Sequence, residues 1–307
     1  MRDGSALSRP LVVVALAAIS CALWGSAFAF VKTGYRLFEI PAQSPASQLL
    51  FAGMRFTLAG LFVLLGTAIV RRKPPIPRKQ DLAPIALLGL SQTALQYAPF
   101  YMGLAHASGT NSSLVQGTSA FVQIILATLV FRQEQLTPRK LAGCLLGVGG
   151  VVLVTLRGGG TMGAWSLQGE GLVFVSLVAG GCATCLMRRF GTKGDPLLLT
   201  GWQFFCGGLV LIAIGILLGG KVGAVSPSAV GVLVYLGLLS AVAFSLWSML
   251  LKHNPVSRVA VFRPFIPVFG VVFSIVFLGE GVSLAQLPGL VLALALIAAG
   301  TVVVYKE

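Results

Sequence analysis

Two apolar stretches carry amide and hydroxyl side chains at helical spacing. Gln92 and Gln96 are four residues apart, which places them on one face of a helix. A second stripe repeats at intervals of four, three and four residues, and consists of Ser112, Gln116, Ser119 and Gln123. Because hydrocarbon leaves such groups unpaired, both stripes are predicted to face the protein interior or water. Two interpretations remain open, namely hydrogen bonding between helices and the lining of a substrate cavity.

Aromatic and cationic side chains lie at comparable depth in other apolar stretches. Tyr97 adjoins the first polar stripe, and Phe244 and Trp247 share a helix face, while Trp24 provides a further aromatic wall. Such walls suit a ring or an amphipathic molecule, although anchoring at the membrane interface is the alternative for each tryptophan. Arg263 can attract a carboxylate or phosphate, or extend its side chain to the cytoplasmic interface. The candidate substrate-binding set is Trp24, Gln92, Gln96, Tyr97, Gln116, Phe244, Trp247 and Arg263.

The composition indicates the solvent in which these residues lie. Of the 307 residues, 56% are hydrophobic and 10% are charged, with a mean hydropathy of +0.93. A soluble domain needs more polar surface than this, so the chain is predicted to be an integral membrane protein. The five cysteines and two histidines form no recognisable metal or disulfide pattern, and Cys182 and Cys185 are interpreted as small residues of one helix. No metal, cofactor or nucleic-acid partner is therefore expected.

Stretches of roughly 20 apolar residues are long enough to cross a bilayer. Ten are predicted, at 11–31, 48–70, 82–105, 111–131, 138–156, 167–187, 197–219, 229–251, 257–279 and 284–305. With the two termini and the even-numbered connections on one side, that side holds 16 of the 22 lysines and arginines, and the other side holds four. Arg55 and Arg263 lie within spans, and Arg55 is predicted to have a structural role at the outer interface. The positive-inside rule then places both termini in the cytoplasm.

An internal repeat divides the chain into 1–157 and 158–307. The segment Gly53–Leu61 aligns without gaps with Gly201–Leu209 at an offset of 148, and the same offset pairs Leu88–Leu90 with Leu236–Leu238. Five helices per half is an odd number, so the second half must insert in the opposite orientation. Inverted repeats of this kind build secondary transporters, with the substrate site at the repeat interface near the midplane.

Several motifs also resemble the EamA domain of the drug/metabolite transporter superfamily. Residues 22–26 read ALWGS, residues 54–60 read MRFTLAG, and residues 267–269 and 277–280 read PVF and FLGE. The resemblance covers nearly the whole chain. It implies an all-α integral membrane fold of ten helices, arranged as two inverted five-helix repeats around a central cavity, and it implies export of amino acids or other small metabolites.

The sequence therefore favours a secondary transporter, monomeric, in a bacterial cytoplasmic membrane, that exports small metabolites by alternating access. No Asp or Glu lies in the middle of a span, which argues against a proton-for-cation drug antiporter. A flippase or transporter of lipid-linked or nucleotide-linked sugars is the alternative. An integral-membrane enzyme is a remote one, because such an enzyme should carry clustered His, Asp or Glu at a membrane face. Glu134 and Glu280, at the edges of the loops that follow helices four and nine, are predicted to be loop-capping or interface residues.

Overall fold

The computed structural model describes residues 6–41, 43–106, 115, 118–157, 166–223, 225–266, 268–270, 273 and 287–305. Over these residues the chain is helical and contains no strand. The helices are α1 Pro10–Leu37, α2 Pro45–Arg71, α3 Lys79–Leu88, α4 Gln96–His106, α5 Ser119–Ile125, α6 Pro138–Arg157, α7 Leu172–Gly191, α8 Pro196–Leu217, α9 Pro227–His253, α10 Val256–Ala260 and α11 Leu287–Tyr305. Three π-helical segments adjoin them, at Gly89–Leu95, Leu126–Val130 and Leu167–Gly171.

Five of the long helices begin with a proline, and Pro138 of α6 is one of these residues. Pro10, Pro45, Pro196 and Pro227 occupy the first turn, where the missing N–H costs no hydrogen bond. Three of these helices also have a polar cap, since Asp195 accepts from the Leu197 amide at 3.1 Å and Ser226 from the Ala229 amide at 3.2 Å. Ser44 caps α2 in the same way. The apolar run after each cap then propagates the helix.

Five helices of the described chain are long and apolar enough to cross a membrane. They are Pro10–Leu37, Pro45–Arg71, Leu167–Gly191, Pro196–Leu217 and Pro227–His253. Shorter apolar helices lie at Ser119–Val130 and Leu294–Val304. The predicted third span is present as α3, the π-helical segment and α4, with Pro84 and Pro99 inside the two α-helices. The prolines remove hydrogen-bond donors from this span, which accounts for part of its irregular course.

The predicted ninth span begins as a helix and is then interrupted. α10 ends at Ala260, and residues 261–264 form turns before helical structure resumes at 265–266 and 268–270. Arg263 therefore lies in a turn and not six residues into a continuous helix. Pro264 follows it and disfavours the helical conformation of the preceding residue.

Helix pairing is reciprocal between the two halves. α2 packs along α8, and α6 packs along α11, so that the second and fifth predicted spans of each half contact their own counterparts. α1 packs against α9, and α4 packs against α7, which are the two equivalent pairings of a first span with a third. The halves thus interlock around an approximate two-fold relation.

Glycines allow the backbones of α2 and α8 to come into direct contact. A Cβ at Gly53 would lie 2.8 Å from the Gly208 carbonyl oxygen, and one at Gly60 would lie 2.6 Å from the Gly201 carbonyl oxygen. The offset of 148 pairs Gly53 with Gly201 and Gly60 with Gly208, so the two contacts are repeat equivalents of each other. Small residues at such crossings are a general feature of membrane helix packing.

We expect Gly60→Ala to destabilise the protein by about 1–3 kcal/mol, because the added methyl group overlaps the backbone of α8. Gly66→Ala is the matched control in the same helix, since a Cβ there meets nothing within 4 Å. It should be neutral or stabilising by up to about 1 kcal/mol, from helix propensity alone. Thermal unfolding in detergent measures both. Equal stabilities for the two variants would contradict close packing at Gly60.

Candidate functional site

A continuous row of aromatic rings crosses the centre of the bundle. It starts at Phe56 of α2, which stacks on Phe204 of α8 with ring centroids 5.2 Å apart and an interplanar angle of 11°. Phe204 contacts Phe244 of α9 at 4.7 Å, and Phe244 contacts Trp24 of α1 at 4.9 Å. Trp24 contacts Trp247 at 5.0 Å. Four helices thus contribute rings to one array.

A guanidinium group lies at each end of this row. The Cζ atom of Arg55 is 5.2 Å from the Phe56 centroid, and that of Arg263 is 5.5 Å from Trp24 and 5.9 Å from Trp247. These distances permit cation–π attraction, which is stronger away from water. The turn at 261–264 directs Arg263 into the bundle, where its Nε donates to Ser119 Oγ over a long 3.4 Å contact. Arg263 therefore points into the bundle, and the alternative in which its side chain extends to the cytoplasmic interface does not apply to this structure.

Arg55 is bonded to a second helix inside the bundle. Its side chain is buried, with 5% exposure, and its Nε donates to Ser240 Oγ of α9 at 2.9 Å. These contacts agree with the predicted structural role of Arg55, and its position relative to the outer interface stays a prediction. An arginine inside a span, with a polar repeat counterpart at Gln203, was the sequence signal for an interior position.

The repeat reproduces this hydrogen bond in the other half. Gln203 of α8 is fully buried and its Nε2 donates to Gln92 Oε1 at 3.1 Å, while Thr93 Oγ1 donates to Gln203 Oε1 at 3.1 Å. The offset of 148 pairs Arg55 with Gln203 and Ser240 with Gln92, so the two hydrogen bonds are equivalents. Phe56 and Phe204 are also equivalents, and they stack on each other. The stacked pair at the Phe56 end of the row therefore lies on the approximate two-fold axis.

The predicted residues divide into two groups. Phe244, Trp247 and Arg263 each contact Trp24, and Tyr97 joins this group through Phe56, with the Tyr97 and Phe56 ring centroids 4.5 Å apart. Gln92 and Gln96 face different helices, because Gln92 bonds α8 and the Gln96 amide lies against Gly180 of α7. The π-helical segment contains Gln92 and widens the turn between them, so the four-residue spacing did not place both on one face. Gln116 lies outside the described residues.

Phe56 and Phe204 are central residues that the sequence-based set omits. They occupy identical positions in the aligned segments, which was an available signal for a contact across the two-fold axis. The stacking itself could not be read from the sequence.

A second polar cluster joins the halves at the end of α5. Glu134, in the loop before α6, accepts from the Ser257 amide at 3.2 Å and from the Ser257 hydroxyl, at the start of α10. Lys140 Nζ forms an ion pair with Glu134 Oε2 at 3.1 Å, and both side chains are buried. The neighbouring Gln133 Nε2 donates to the Cys185 carbonyl of α7 at 2.9 Å. The predicted capping role of Glu134 is borne out by these contacts, whereas Glu280 lies outside the described residues.

Several curated proteins align with this chain over most of its length. A transporter from Archaeoglobus fulgidus is 29% identical over 270 residues, which cover 86% of this chain and 89% of the relative. A probable amino-acid metabolite efflux pump of Salmonella typhimurium is 25% identical over 91% of both chains. A probable terminal-alkyne amino-acid exporter of Streptantibioticus cattleyicolor is 27% identical over 84% of this chain and 82% of the relative.

Comparison with solved structures supports the fold. One crystal structure superposes with a TM-score of 0.74 at 22% identity, and the match covers 94% of both chains. At that identity the likeness concerns the fold alone. The model of the EamA-like transporter family matches residues 11–156 and again residues 167–305. Two copies of that model span most of the sequence, so this multi-pass membrane protein belongs to the EamA-like transporter family.

Proposed function

We propose that the protein is a secondary transporter that exports small metabolites, with amino acids the first candidates, by alternating access. The observation that carries the proposal is the reciprocal contact of repeat-equivalent residues around the aromatic row. Because Arg55–Ser240 and Gln203–Gln92 are equivalents, each half can adopt the contacts of the other at similar energetic cost. Two inverted repeats that exchange conformations open a central site first to one side of the membrane and then to the other.

In this proposal the chain crosses the membrane ten times, as repeats 1–157 and 158–307. The five long helices, the interrupted helical stretches and the reciprocal pairing all support that count. Both termini lie in the cytoplasm of a bacterium, as the distribution of lysine and arginine predicts. The protein acts as a monomer, since the fused repeats already supply both halves of the site.

The row of rings between two arginines forms the substrate site. Trp24, Phe244 and Trp247 offer an apolar wall, Tyr97 and Arg263 are partly accessible beside it, and Gln92 and Gln96 lie along α3–α4. The printed names of two relatives, an amino-acid metabolite efflux pump and a terminal-alkyne amino-acid exporter, support amphipathic amino acids as cargo. Transport of lipid-linked or nucleotide-linked sugars on the same fold is the alternative, and an integral-membrane enzyme is a remote one.

In this proposal the Glu134 cluster is the contact that closes the cytoplasmic side. It joins the loop before α6, in the first half, to the start of α10 in the second half. The carboxylate also accepts a hydrogen bond from the Ser257 N–H in the first turn of that short helix. The helix dipole favours a negative charge at this end. Opening toward the cytoplasm requires this buried, charge-assisted contact to break.

Reconstituted protein should take up or exchange labelled amino acids saturably in liposomes. Gln92→Ala/Gln96→Ala should reduce that flux by about tenfold or more, because it removes the bond to Gln203 and the polar lining at Gly180. Gln168→Ala, at an exposed position, is the matched control and should retain full flux. Flux unaffected by the double variant would reject the two glutamines as part of the site. Absence of flux for every amino acid, with folded protein in the vesicles, would favour sugar-linked cargo.

Glu134→Ala should shift the population toward the cytoplasm-open state. A cysteine at Ser119, next to Arg263, reports that opening in a background whose native cysteines are replaced. In inside-out vesicles a membrane-impermeant maleimide should label Ser119→Cys about tenfold faster with Glu134→Ala than without it. Asp81→Ala removes an exposed carboxylate that only caps α3, and should leave the labelling rate unchanged. Equal rates with and without Glu134 would contradict a closing role.

The proposed topology is tested by tags at the two ends of the chain. Protease added to spheroplasts should spare epitopes at both termini, and protease added to inside-out vesicles should remove both. Protection of one terminus only in either preparation would require an odd number of spans and exclude the ten-helix arrangement.

A further inference from the structure

We propose that Trp24, Trp247 and Arg263 form a carboxylate-binding site, so that the transported molecule carries a carboxylate on an apolar body. The inference rests on the proposed transport function and names the substrate class of the same site. It derives from an excess of hydrogen-bond donors over acceptors at one end of the aromatic row.

The two indole N–H groups are buried without acceptors. Trp24 is 9% exposed and Trp247 is 4% exposed, and neither Nε1 atom has a hydrogen-bond partner. An indole nitrogen is a donor only, and buried Trp N–H groups are normally paired. The contrast within this chain is Trp202, whose Nε1 donates to the Pro75 carbonyl oxygen at 2.7 Å. Two unpaired donors on touching rings thus mark a place for a ligand acceptor.

Arg263 supplies the charge beside these donors. Its guanidinium lies over both indoles, at 5.5 and 5.9 Å from their centroids, and its bond to Ser119 is long. Guanidinium groups carry five N–H donors and pair best with the two oxygens of a carboxylate. Among the described residues, the carboxylates in ion pairs belong to Asp195 and Glu134, whose partners are Arg71 and Lys140. Arg263 therefore has no carboxylate partner in the part of the chain that the structure describes.

The electrostatics of the whole row select against cations. Arg55, at the other end, is buried and is bonded to the neutral Ser240, so both charges in the row are positive. A buried charge without a counter-ion is costly, and an anionic ligand removes that cost on binding. An ammonium ion without a carboxylate would add to it.

The rest of the ligand is specified by the row of rings. Phe244 and Phe204 continue from Trp24 at centroid distances of 4.9 and 4.7 Å, so an apolar or aromatic body attached to the carboxylate lies against their edges. The Trp24 and Trp247 ring centroids are 5.0 Å apart, and the Arg263 Cζ atom lies 5.5 and 5.9 Å from them, so one compact carboxylate is the ligand group proposed for this end of the row. A phosphate monoester, which shares the anionic chemistry but carries more charge, is included in the test as a separate arm.

Binding to the full chain in nanodiscs tests the site independently of flux. The probes are 3-phenylpropionate, 3-phenylpropylamine and phenyl phosphate, and binding is measured by calorimetry. We expect saturable binding of the carboxylate and at least about tenfold weaker binding of the amine, because one charge changes sign beside Arg263. Equal affinity for the carboxylate and the amine would overturn the proposal. Tighter binding of phenyl phosphate than of the carboxylate would replace the carboxylate with a phosphate in the assignment, and so would also overturn it.

Trp24→Phe and Trp247→Phe keep the rings and remove only the N–H donors. Each should weaken carboxylate binding by about fivefold to tenfold without lowering the melting temperature of the empty protein, because the lost donor has no partner. Trp202→Phe is the matched control, and should lower the melting temperature while leaving affinity unchanged, since its donor is satisfied. Unchanged affinity in both site variants would mean that the indole N–H groups are satisfied within the protein, for example over an aromatic face, and would reject the site.

The outcomes separate this inference from the proposed transport function. If carboxylates bind in a way that depends on the two indoles but are not transported, the binding site is retained and transport of carboxylates is rejected. Flux of carboxylates that is insensitive to Trp24→Phe, Trp247→Phe and Arg263→Met would retain transport and reject the site.

Discussion

The close packing of α2 against α8 determines the positions of the polar and aromatic residues at the centre of the protein. Glycines at repeat-equivalent places bring the two backbones into contact, and this places Phe56 on Phe204 across the two-fold axis. Between helices that lie this close there is no water to solvate a guanidinium or an amide, so these groups must bond to side chains of a third helix. Ser240 of α9 and Gln92 beside α4 meet that need, and α9 and α4 are thereby held against the central pair.

The same constraint accounts for the reciprocity of the structure. The hydrogen bond between Arg55 and Ser240 has its repeat equivalent in the hydrogen bond between Gln203 and Gln92. The repeat therefore preserves the position of a polar contact while changing its chemistry. Because the charged Arg55 is matched by the neutral Gln203, the two otherwise similar halves present different electrostatic environments at these equivalent positions.

Packing at the Glu134 cluster differs from packing at the centre of the bundle. Glu134 links the halves through one buried carboxylate that bonds a helix N-terminus and a lysine. The hydrogen bonds and the ion pair of Glu134 are strong when formed, and all of them are lost together when the two halves separate. The aromatic rings instead contact each other through many weak interactions. Under the proposed alternating access, a polar closure that is lost as a unit suits a protein whose two conformations have similar free energy.

The amino-acid sequence by itself determined the membrane environment, the helical class and the pairing of residues across the repeat. Each of these depends on composition, on the length of apolar runs or on a fixed offset, which are properties of the linear chain. It also identified Trp24, Phe244, Trp247 and Arg263 as candidates, because polar and aromatic residues within apolar runs need a partner. The number of spans and the cytoplasmic termini stay predictions.

Only the tertiary structure decided which residues meet. Helical periodicity specifies the face of a helix but not the helix that this face contacts, so the bond from Arg55 to Ser240 and the stacking of Phe56 on Phe204 were beyond the sequence. Local backbone geometry added a second limit. The π-helical segment turned Gln92 and Gln96 toward different neighbours, and the turn before Pro264 directed Arg263 inward, since both depend on packing as much as on local residue preference.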